Sequence, residues 1–128
     1  MHTISMMLDV ISAPMSSDLA PAAVRLVRLL ADPTRRRLFL VLMQGETCNC
    51  ELVAQLGLSQ HLISHHMRQF REAGLIRERR DERDARWVYY TVEVAALAEA
   101  WQALGAALDP SRLRARTPTC GPAAQGCC

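Results

Sequence analysis

Apolar residues recur at helical spacing over the first half of the chain, and the pattern becomes strand-like near residue 75. The spacing predicts a first amphipathic helix over 18–31 and a second, mostly apolar helix over 33–44. A third helix is predicted over 50–56, and a fourth is expected to begin at Ser59 as its N-cap. The pattern therefore predicts a helical body followed by an element of a different kind.

The third and fourth helices are separated by a short turn containing Gly57, which suits a left-handed helix stop. We expect the inward side chains of these two helices to be Leu52, Val53, Leu56, Ile63, Met67 and Phe70. The other face of the fourth helix is polar and carries Gln60, His61, Ser64, His65 and Arg68. Two helices joined by a tight turn, the second with a hydrogen-bonding face, are typical of a helix-turn-helix.

A β-hairpin is predicted next, with strands over 75–80 and 85–92 joined by a polar turn at 81–84. It holds the densest group of cations in the chain, namely Arg77, Arg79, Arg80, Arg83 and Arg86. Taken alone, such a run indicates a solvated surface whose charge is offset by Asp81, Glu82 and Asp84. Directly beside a helix-turn-helix, it is typical of a wing that binds the phosphate backbone of DNA.

A last helix is predicted over 93–109, with an apolar stripe that a body of this size cannot cover alone. We therefore expect a homodimer formed through the first and last helices, with an interface containing Leu19, Leu26, Leu97, Trp101, Leu104 and Leu108. The predicted fold is mainly α with a β-hairpin: a winged helix-turn-helix over 18–109. It is flanked by a flexible arm at 1–17 and a flexible, cysteine-containing tail at 110–128.

Composition adds limits to this picture. A chain of 128 residues that is half apolar suits one compact domain. It has neither an apolar run of bilayer length nor the pattern of a secretory signal, so we expect a cytoplasmic protein without a membrane partner. The net charge of +2 is modest, but all fifteen cations are arginine, so their clustering matters more than their sum.

The chain has five cysteines, an odd number, at Cys48, Cys50, Cys120, Cys127 and Cys128. Without an export signal, free thiols for ligation or redox chemistry are expected rather than a disulfide framework. Inert packing would account for Cys48 or Cys50, because free cysteine packs well as a small apolar side chain. It does not account for a vicinal pair at the C-terminal end of the sequence.

The segments LLADPTRRRLFLVLMQGE, CNCELVAQLGLSQHLISHHMRQFREAGLI and RWVYYTV resemble the ArsR/SmtB family of metal-responsive repressors, over about residues 19–108. The resemblance implies a dimeric winged helix that binds an imperfect palindrome of double-stranded operator DNA, with no small organic substrate. It implies that the fourth helix faces the major groove and the hairpin contacts the backbone. The corresponding DNA-binding residues are Ser59, Gln60, His61, Ser64, His65, Arg68, Arg79, Arg80, Arg83 and Arg86.

The resemblance also implies a sensing site. Cys48-Asn49-Cys50-Glu51-Leu52 stands where the family's arsenic and cadmium sensors carry Cys-x-Cys. Soft thiolates favour soft ions, so the implied inducer is trivalent arsenic or antimony, with cadmium or lead as the alternative. The family's other site, on the last helix, uses Asp, His and Glu; because the last helix has no His here, zinc sensing at that site is not expected.

Ligation geometry leaves questions open. On a regular helix, positions two apart point about 200° away from each other, so Cys48 and Cys50 are expected to share an ion only if the helix start is distorted. Position 53, where some relatives have a third cysteine, is Val. Cys120, Cys127 or Cys128 could supply a third thiolate, form a separate capture site or take no part.

The three histidines of the fourth helix are not expected to bind a metal ion. His61 and His65 share a face already assigned to DNA, and His66 is expected to face a neighbouring helix.

Three other kinds of protein also use cysteine thiols. A redox-responsive repressor of the same fold would oxidise Cys48 or Cys50 with a tail cysteine. A metal carrier would use the terminal cysteine pair for handover, but would leave the arginine cluster unexplained. An arsenate-reducing enzyme would need an arginine six residues after its nucleophile, and positions 54 and 56 are Ala and Leu. We therefore do not expect an enzyme.

Overall fold

The computed structural model describes residues 19–122. It contains five helices, three short strands and one 3-10 turn. In chain order they are α1 (Pro21–Ala31), α2 (Pro33–Leu42), β1 (Thr47–Cys48), α3 (Asn49–Leu56), α4 (Gln60–Glu72), β2 (Ile76–Arg80), β3 (Val88–Val92), α5 (Val94–Ala107) and the 3-10 turn (Pro110–Arg112). The predicted fold class is confirmed, while the arm at 1–17 lies outside the described residues.

The corner between α1 and α2 is held by hydrogen bonds from its own sequence. The Asp32 carboxylate caps α2 by accepting from the backbone N–H of Thr34 at 2.8 Å and of Arg35 at 3.0 Å. The Arg35 and Arg36 guanidiniums then donate to the carbonyls of residues 29 and 30, at 2.9 and 2.8 Å. These bonds satisfy carbonyls that the end of α1 would otherwise leave unpaired.

The turn between α3 and α4 matches the prediction. Gly57 closes α3 in the left-handed conformation, at φ 67° and ψ 20°. The Ser59 hydroxyl caps α4 by accepting from the backbone N–H of Leu62 at 3.1 Å. The helix-turn-helix is therefore defined by a glycine stop followed directly by a serine cap.

The strands form one antiparallel sheet in the order β1-β3-β2. Strand β1 was not predicted, because two residues are too few to show an alternating period. The second hairpin strand begins at Val88, three residues after the predicted start at position 85. Asp84 explains the difference, since its carbonyl accepts from the N–H of Trp87 and its carboxylate accepts from that of Arg86, which extends the turn.

The core lies between α2, α3, α4 and the sheet, and its largest fully buried side chains are Leu38, Leu42, Leu52, Ile63, Met67 and Phe70. The prediction that Val53 faces inward is wrong, because this side chain is 36% exposed. Residue 53 lies one step, about 100°, around α3 from the buried Leu52. Leu26 lies in the same core at 5% exposure, so it contributes little to a surface for a partner.

Helix α5 packs on α1 and divides the predicted apolar stripe between two faces. Ala100 is fully buried, and Leu97 packs against the core. The outer face carries Val94, Trp101 and Leu108, which are 76%, 69% and 68% exposed. Among residues 19–122, none of the helices combines the length and apolar content needed to cross a bilayer.

Candidate nucleic-acid interface and thiol site

A basic groove lies between the polar face of α4 and the hairpin. Its volume is about 790 Å³. Helix α4 contributes Gln60, Ser64, Arg68 and Arg71, the hairpin region contributes Glu78, Arg80, Arg86, Trp87, Val88 and Tyr90, and the start of α3 contributes Asn49 and Cys50. Five of the residues predicted to contact DNA therefore line one concave surface, and a cysteine of the predicted thiol site lies beside them.

Two interactions fix the hairpin against α4. The buried Tyr90 side chain of β3 contacts Ser64 of α4, and burial raises the pKa of the Tyr90 hydroxyl. Arg71 of α4 forms an ion pair with Glu78 of β2. Because both strands of the hairpin are tied to α4, the width of the groove is set by these contacts. Sequence patterning does not reveal either pair.

The hairpin arginines point to two sides of the sheet. Arg80 lines the groove and donates to the Ala85 carbonyl at 2.9 Å. The neighbouring Arg79 points to the other face, as alternation along a strand requires. Its guanidinium donates to Glu46 at 2.8 Å and lies 4.3 Å from the centre of the Tyr89 ring. This ion pair raises the pKa of Arg79 and lowers that of Glu46.

The other two predicted wing residues lie at the turn. Arg86 lines the groove and forms a forked contact with Asp84, at 2.8 and 3.0 Å. That contact raises the pKa of Arg86 and holds the pKa of Asp84 below its usual value. Arg83 is exposed at the tip of the hairpin. The structure thus brings Arg80 and Arg86 to the groove, with Arg83 at the tip.

The three histidines of α4 differ in exposure, as their positions around the helix predict. His61 and His65 are exposed on α4. His66 is buried, as expected, and its Nδ1 has no hydrogen-bond partner among the described residues. Over residues 19–122, the structure contains no cluster of three or more His, Cys, Asp or Glu side chains arranged to hold a metal ion.

The two cysteines of the predicted thiol site lie in different environments. Cys48 is the N-cap of α3 and is extended, at φ −85° and ψ 158°, so the 200° separation of a regular helix does not apply to Cys48 and Cys50. Its side chain is 5% exposed and forms a reciprocal capping box with Glu51, whose Oε1 accepts from the Cys48 N–H at 3.4 Å. Cys50, in the first turn of α3, is exposed.

Burial raises the pKa of the Cys48 thiol. Cys48 and Cys50 are both free thiols, which makes them available to bind a soft ion once they lose their protons. Cys120 is disulfide-bonded, so its sulfur is not a thiolate in this state. Cys127 and Cys128 lie outside the described residues.

The residue between the two cysteines was not predicted from the sequence. Asn49 is 4% exposed, and its side chain contacts the backbone of the hairpin at residues 86 and 88. A polar, uncharged residue at the start of a helix gives no signal of such a contact. Its partners are about forty positions away in sequence.

Comparison with known proteins agrees with this arrangement. Residues 32–78, which contain the helix-turn-helix, match the sequence profile of the family described as "Bacterial regulatory protein, arsR family". A crystal structure titled "Possible transcriptional regulator for arsenical resistance" is 33% identical, with a TM-score of 0.57; the match covers 66% of this chain and 85% of that one. The chain belongs to the ArsR family.

Curated relatives in the ArsR family carry related names. The arsenic resistance transcriptional regulator ArsR1 of Pseudomonas putida is 48% identical over 64 residues, which is 49% of this chain and 48% of that protein. The arsenical resistance operon repressor of Escherichia coli is 40% identical over 68 residues, 52% of this chain and 56% of that repressor. The chain thus spans about half the length of these two relatives.

Other ArsR-family relatives are named for different metals. A probable mercury resistance operon repressor of Streptomyces lividans is 36% identical over 73 residues, 57% of this chain and 58% of that protein. All of these named relatives are regulators rather than enzymes, as the sequence led us to expect. The names refer to different elements, so family membership alone does not identify the ion to which this chain responds.

The different environments of the two thiols predict different reactivity. In native protein treated with iodoacetamide near pH 7, we expect Cys48 to react about tenfold or more slowly than Cys50, because its sulfur is buried from the reagent and its raised pKa leaves less of it as thiolate. Because burial raises its pKa, the rate at Cys48 should keep increasing with pH beyond the range in which an ordinary thiol is fully ionised. Tandem mass spectrometry of the peptide containing both residues measures each rate. Denatured protein is the control and should give similar rates; equal rates in native protein would contradict the prediction.

Proposed function

We propose that this ArsR-family protein is a transcriptional repressor that leaves its operator when Cys48 and Cys50 bind trivalent arsenic or antimony. The observation that carries the proposal is the position of the thiols. Cys50 lines the same groove as Arg68 and Arg80, and Cys48 caps the first helix of the helix-turn-helix. Ligation and DNA binding therefore involve the same short segment. Two relatives named for arsenic resistance support the choice of inducer, with cadmium or lead as the alternative.

On the DNA side, the exposed face of α4 would enter the major groove, and the arginines beside it would bind phosphates. Arg68, Arg80 and Arg86 line the groove, and we propose that they contact the phosphate backbone. Arg79 is occupied by Glu46 and Tyr89 on the other face, so we assign it to holding the hairpin rather than to DNA. The remaining proposed contacts are Ser59, Gln60, His61, Ser64, His65 and Arg83.

On the inducer side, the ligation step must displace Cys48 from its present position. Cys48 is buried as the cap of α3, whereas Cys50 faces the groove, so one ion reaches both sulfurs only if the first turn of α3 opens. With arsenous acid, two As–O bonds are replaced by two As–S bonds, and the two thiol protons leave with the hydroxyl groups as water. A third sulfur would come from Cys120 after reduction of its disulfide, or from Cys127 or Cys128.

We further propose a homodimer. The outer face of α5 presents Val94, Trp101 and Leu108, all more than 60% exposed and spaced by two helical turns. We propose that a second copy of this chain covers this face of α5. Two recognition helices related by a two-fold axis, about 34–36 Å apart, would match the two half-sites of a palindrome. Partly buried Leu19, Leu97 and Leu104 would lie at the inner edge of this interface.

A thiol-redox repressor is the second candidate. The described residues contain cysteines in both oxidation states, with Cys48 and Cys50 free and Cys120 disulfide-bonded. Oxidation of Cys48 or Cys50 would disturb the same helix start as ion binding. A metal carrier is less favoured, because it gives the arginine-lined groove no role.

The proposal predicts inducer-dependent release of operator DNA. Fluorescence anisotropy should show wild-type protein bound to a palindromic operator fragment, at fixed salt with a phosphine reductant, and arsenite should weaken binding about 5- to 150-fold, the usual range of such coupling. Antimonite, cadmium and zinc are titrated in parallel, and peroxide is titrated separately on pre-reduced protein from which the reductant has been removed. Cys48→Ser/Cys50→Ser should bind the operator but stay bound when arsenite is added. Release by peroxide alone would favour the redox repressor, and failure to bind any palindrome would contradict the proposal.

The assignment of arginines predicts a difference between Arg68→Ala and Arg79→Ala. In the proposed homodimer a substitution removes one phosphate contact from each half-site, and loss of two contacts lowers the slope of log K against log salt by about 1.8 in magnitude. We expect this change for Arg68→Ala, whereas Arg79→Ala, the matched loss of one positive charge, should change the slope by less than half as much. Anisotropy at several salt concentrations measures both slopes. Equal slopes for the two variants would contradict the assignment.

The dimer proposal predicts that Trp101→Glu is monomeric where the wild type is dimeric. A buried carboxylate on each copy would oppose association, because it loses hydration without gaining a partner. Sedimentation equilibrium measures the mass of both proteins. Leu40→Glu is the matched control, because it places the same charge on α2 at a side chain that is 58% exposed, and it should remain dimeric. A monomeric wild type, or a dimeric Trp101→Glu protein, would disprove this interface.

A further inference from the structure

The side chain between the two cysteines joins the thiol segment to the hairpin. Asn49 Oδ1 accepts from the backbone N–H of Val88 at 3.3 Å, and its Nδ2 donates to the carbonyl of Arg86 at 3.4 Å. The side chain is 4% exposed, so water does not replace these partners. A single buried amide therefore connects the start of α3 to the start of β3.

The position of Asn49 follows from the register of the sheet. Strand β1 pairs Thr47 with Tyr90 and Cys48 with Tyr89. The next step of the same register would place residue 49 opposite residue 88, but the backbone has already turned into α3 at Asn49. The Asn49 amide continues the ladder by one step where the backbone no longer can. It satisfies a buried N–H that would otherwise be left unpaired.

The geometry makes this connection sensitive to movement. Both hydrogen bonds lie near the upper limit of the accepted distance range, so a shift of a few tenths of an ångström at Asn49 would break them. Asn49 is covalently held between Cys48 and Cys50, so it cannot stay in place when both cysteines move. Its hairpin partners adjoin the DNA groove, since Arg86, Trp87 and Val88 all line it.

We infer that Asn49 is the positioning residue that transmits thiol ligation at Cys48 and Cys50 to the DNA-binding hairpin. When the segment rearranges, the amide releases residues 86–88, and the hairpin loses the geometry that places Arg86 at the groove. This inference rests on the proposed function, because it concerns how inducer and DNA are coupled. It adds a specific route: from the thiol segment through one side chain to the wing.

A structural role and a transmitting role predict different measurements. If Asn49 only packs, its substitution would change operator affinity by the same factor with and without arsenite. If Asn49 transmits the signal, its substitution changes the coupling ratio, defined as operator affinity without arsenite divided by affinity with it. In Asn49→Val this ratio should fall by about fivefold or more, as expected when two hydrogen bonds of ordinary net strength no longer connect the states.

The matched control is Thr47→Val. Thr47 is also buried, lies next to Cys48, and donates its side-chain hydrogen bond to the Gly45 carbonyl at 2.9 Å rather than to the hairpin. The Thr47→Val protein should have a lower free energy of unfolding and an unchanged coupling ratio. Asn49→Asp keeps an oxygen acceptor for the Val88 N–H at a helix N-terminus, where a carboxylate is favourable, and should retain more of the ratio than Asn49→Val.

The experiment measures operator anisotropy with sodium arsenite for the four proteins, and amide hydrogen exchange at Val88 without DNA. We expect arsenite to speed exchange at Val88 in wild type and Thr47→Val, while exchange in Asn49→Val is already fast and does not respond. A wild-type coupling ratio in Asn49→Val, or unchanged Val88 exchange while arsenite still releases the operator, would overturn the inference and leave the proposed function standing. If arsenite fails to release wild-type protein, both are overturned.

Discussion

The central strand β3 is the constraint on which the rest of the molecule depends, because it is paired along both edges. One edge carries β1, which ends at Cys48, and the other carries β2, which brings the hairpin arginines. Tyr90 of the same strand also contacts Ser64 of α4. A shift of β3 would therefore displace the thiol segment, the hairpin and the recognition helix together. Five residues of strand connect three surfaces that are far apart in sequence.

The distribution of charge on the hairpin depends on ion pairs between its arginines and acidic residues rather than on the net charge of the chain. The net charge of the chain is only +2, and the acidic residues Glu46, Glu78 and Asp84 each hold one arginine in place. These contacts are exposed or half-exposed, so each contributes little to the stability of the fold. Their effect is orientation: Arg79 is directed to one side of the sheet, and Arg86 is directed to the groove. A basic interface is formed without a strongly basic protein.

The features that could be predicted from the sequence repeat with a period or have a local chemical signature. Helix spacing, the Ser59 cap and the glycine stop at Gly57 were confirmed because each depends on residues within a few positions. Strand β1 and the Asn49 contacts were missed because both depend on pairing with residues about forty positions later. The side of the sheet occupied by Arg79 required a strand register, which composition does not provide.

The position of the thiol site was predicted by its sequence motif, but the angle between its two cysteines was not predicted by helix geometry. The Cys-x-Cys pattern placed the cysteines at the start of α3, as found, but the expected angle between them assumed that both belong to the helix. Cys48 lies one residue before it, in a strand that sequence periodicity could not detect. The inducer, the tail cysteines and the dimer depend on other molecules or on residues outside 19–122, so they stay predictions.

The use of arginine for every cation in the chain has a consequence for how the interface can be controlled. A guanidinium stays protonated under all conditions in which proteins remain folded, and it is not a target for the acetyl groups that neutralise lysine. Neither acidity nor metabolic acylation can therefore remove the positive charges that the arginines bring to the groove. With the number of these charges fixed, a change in the shape of the surface is the route by which a bound ion would alter it.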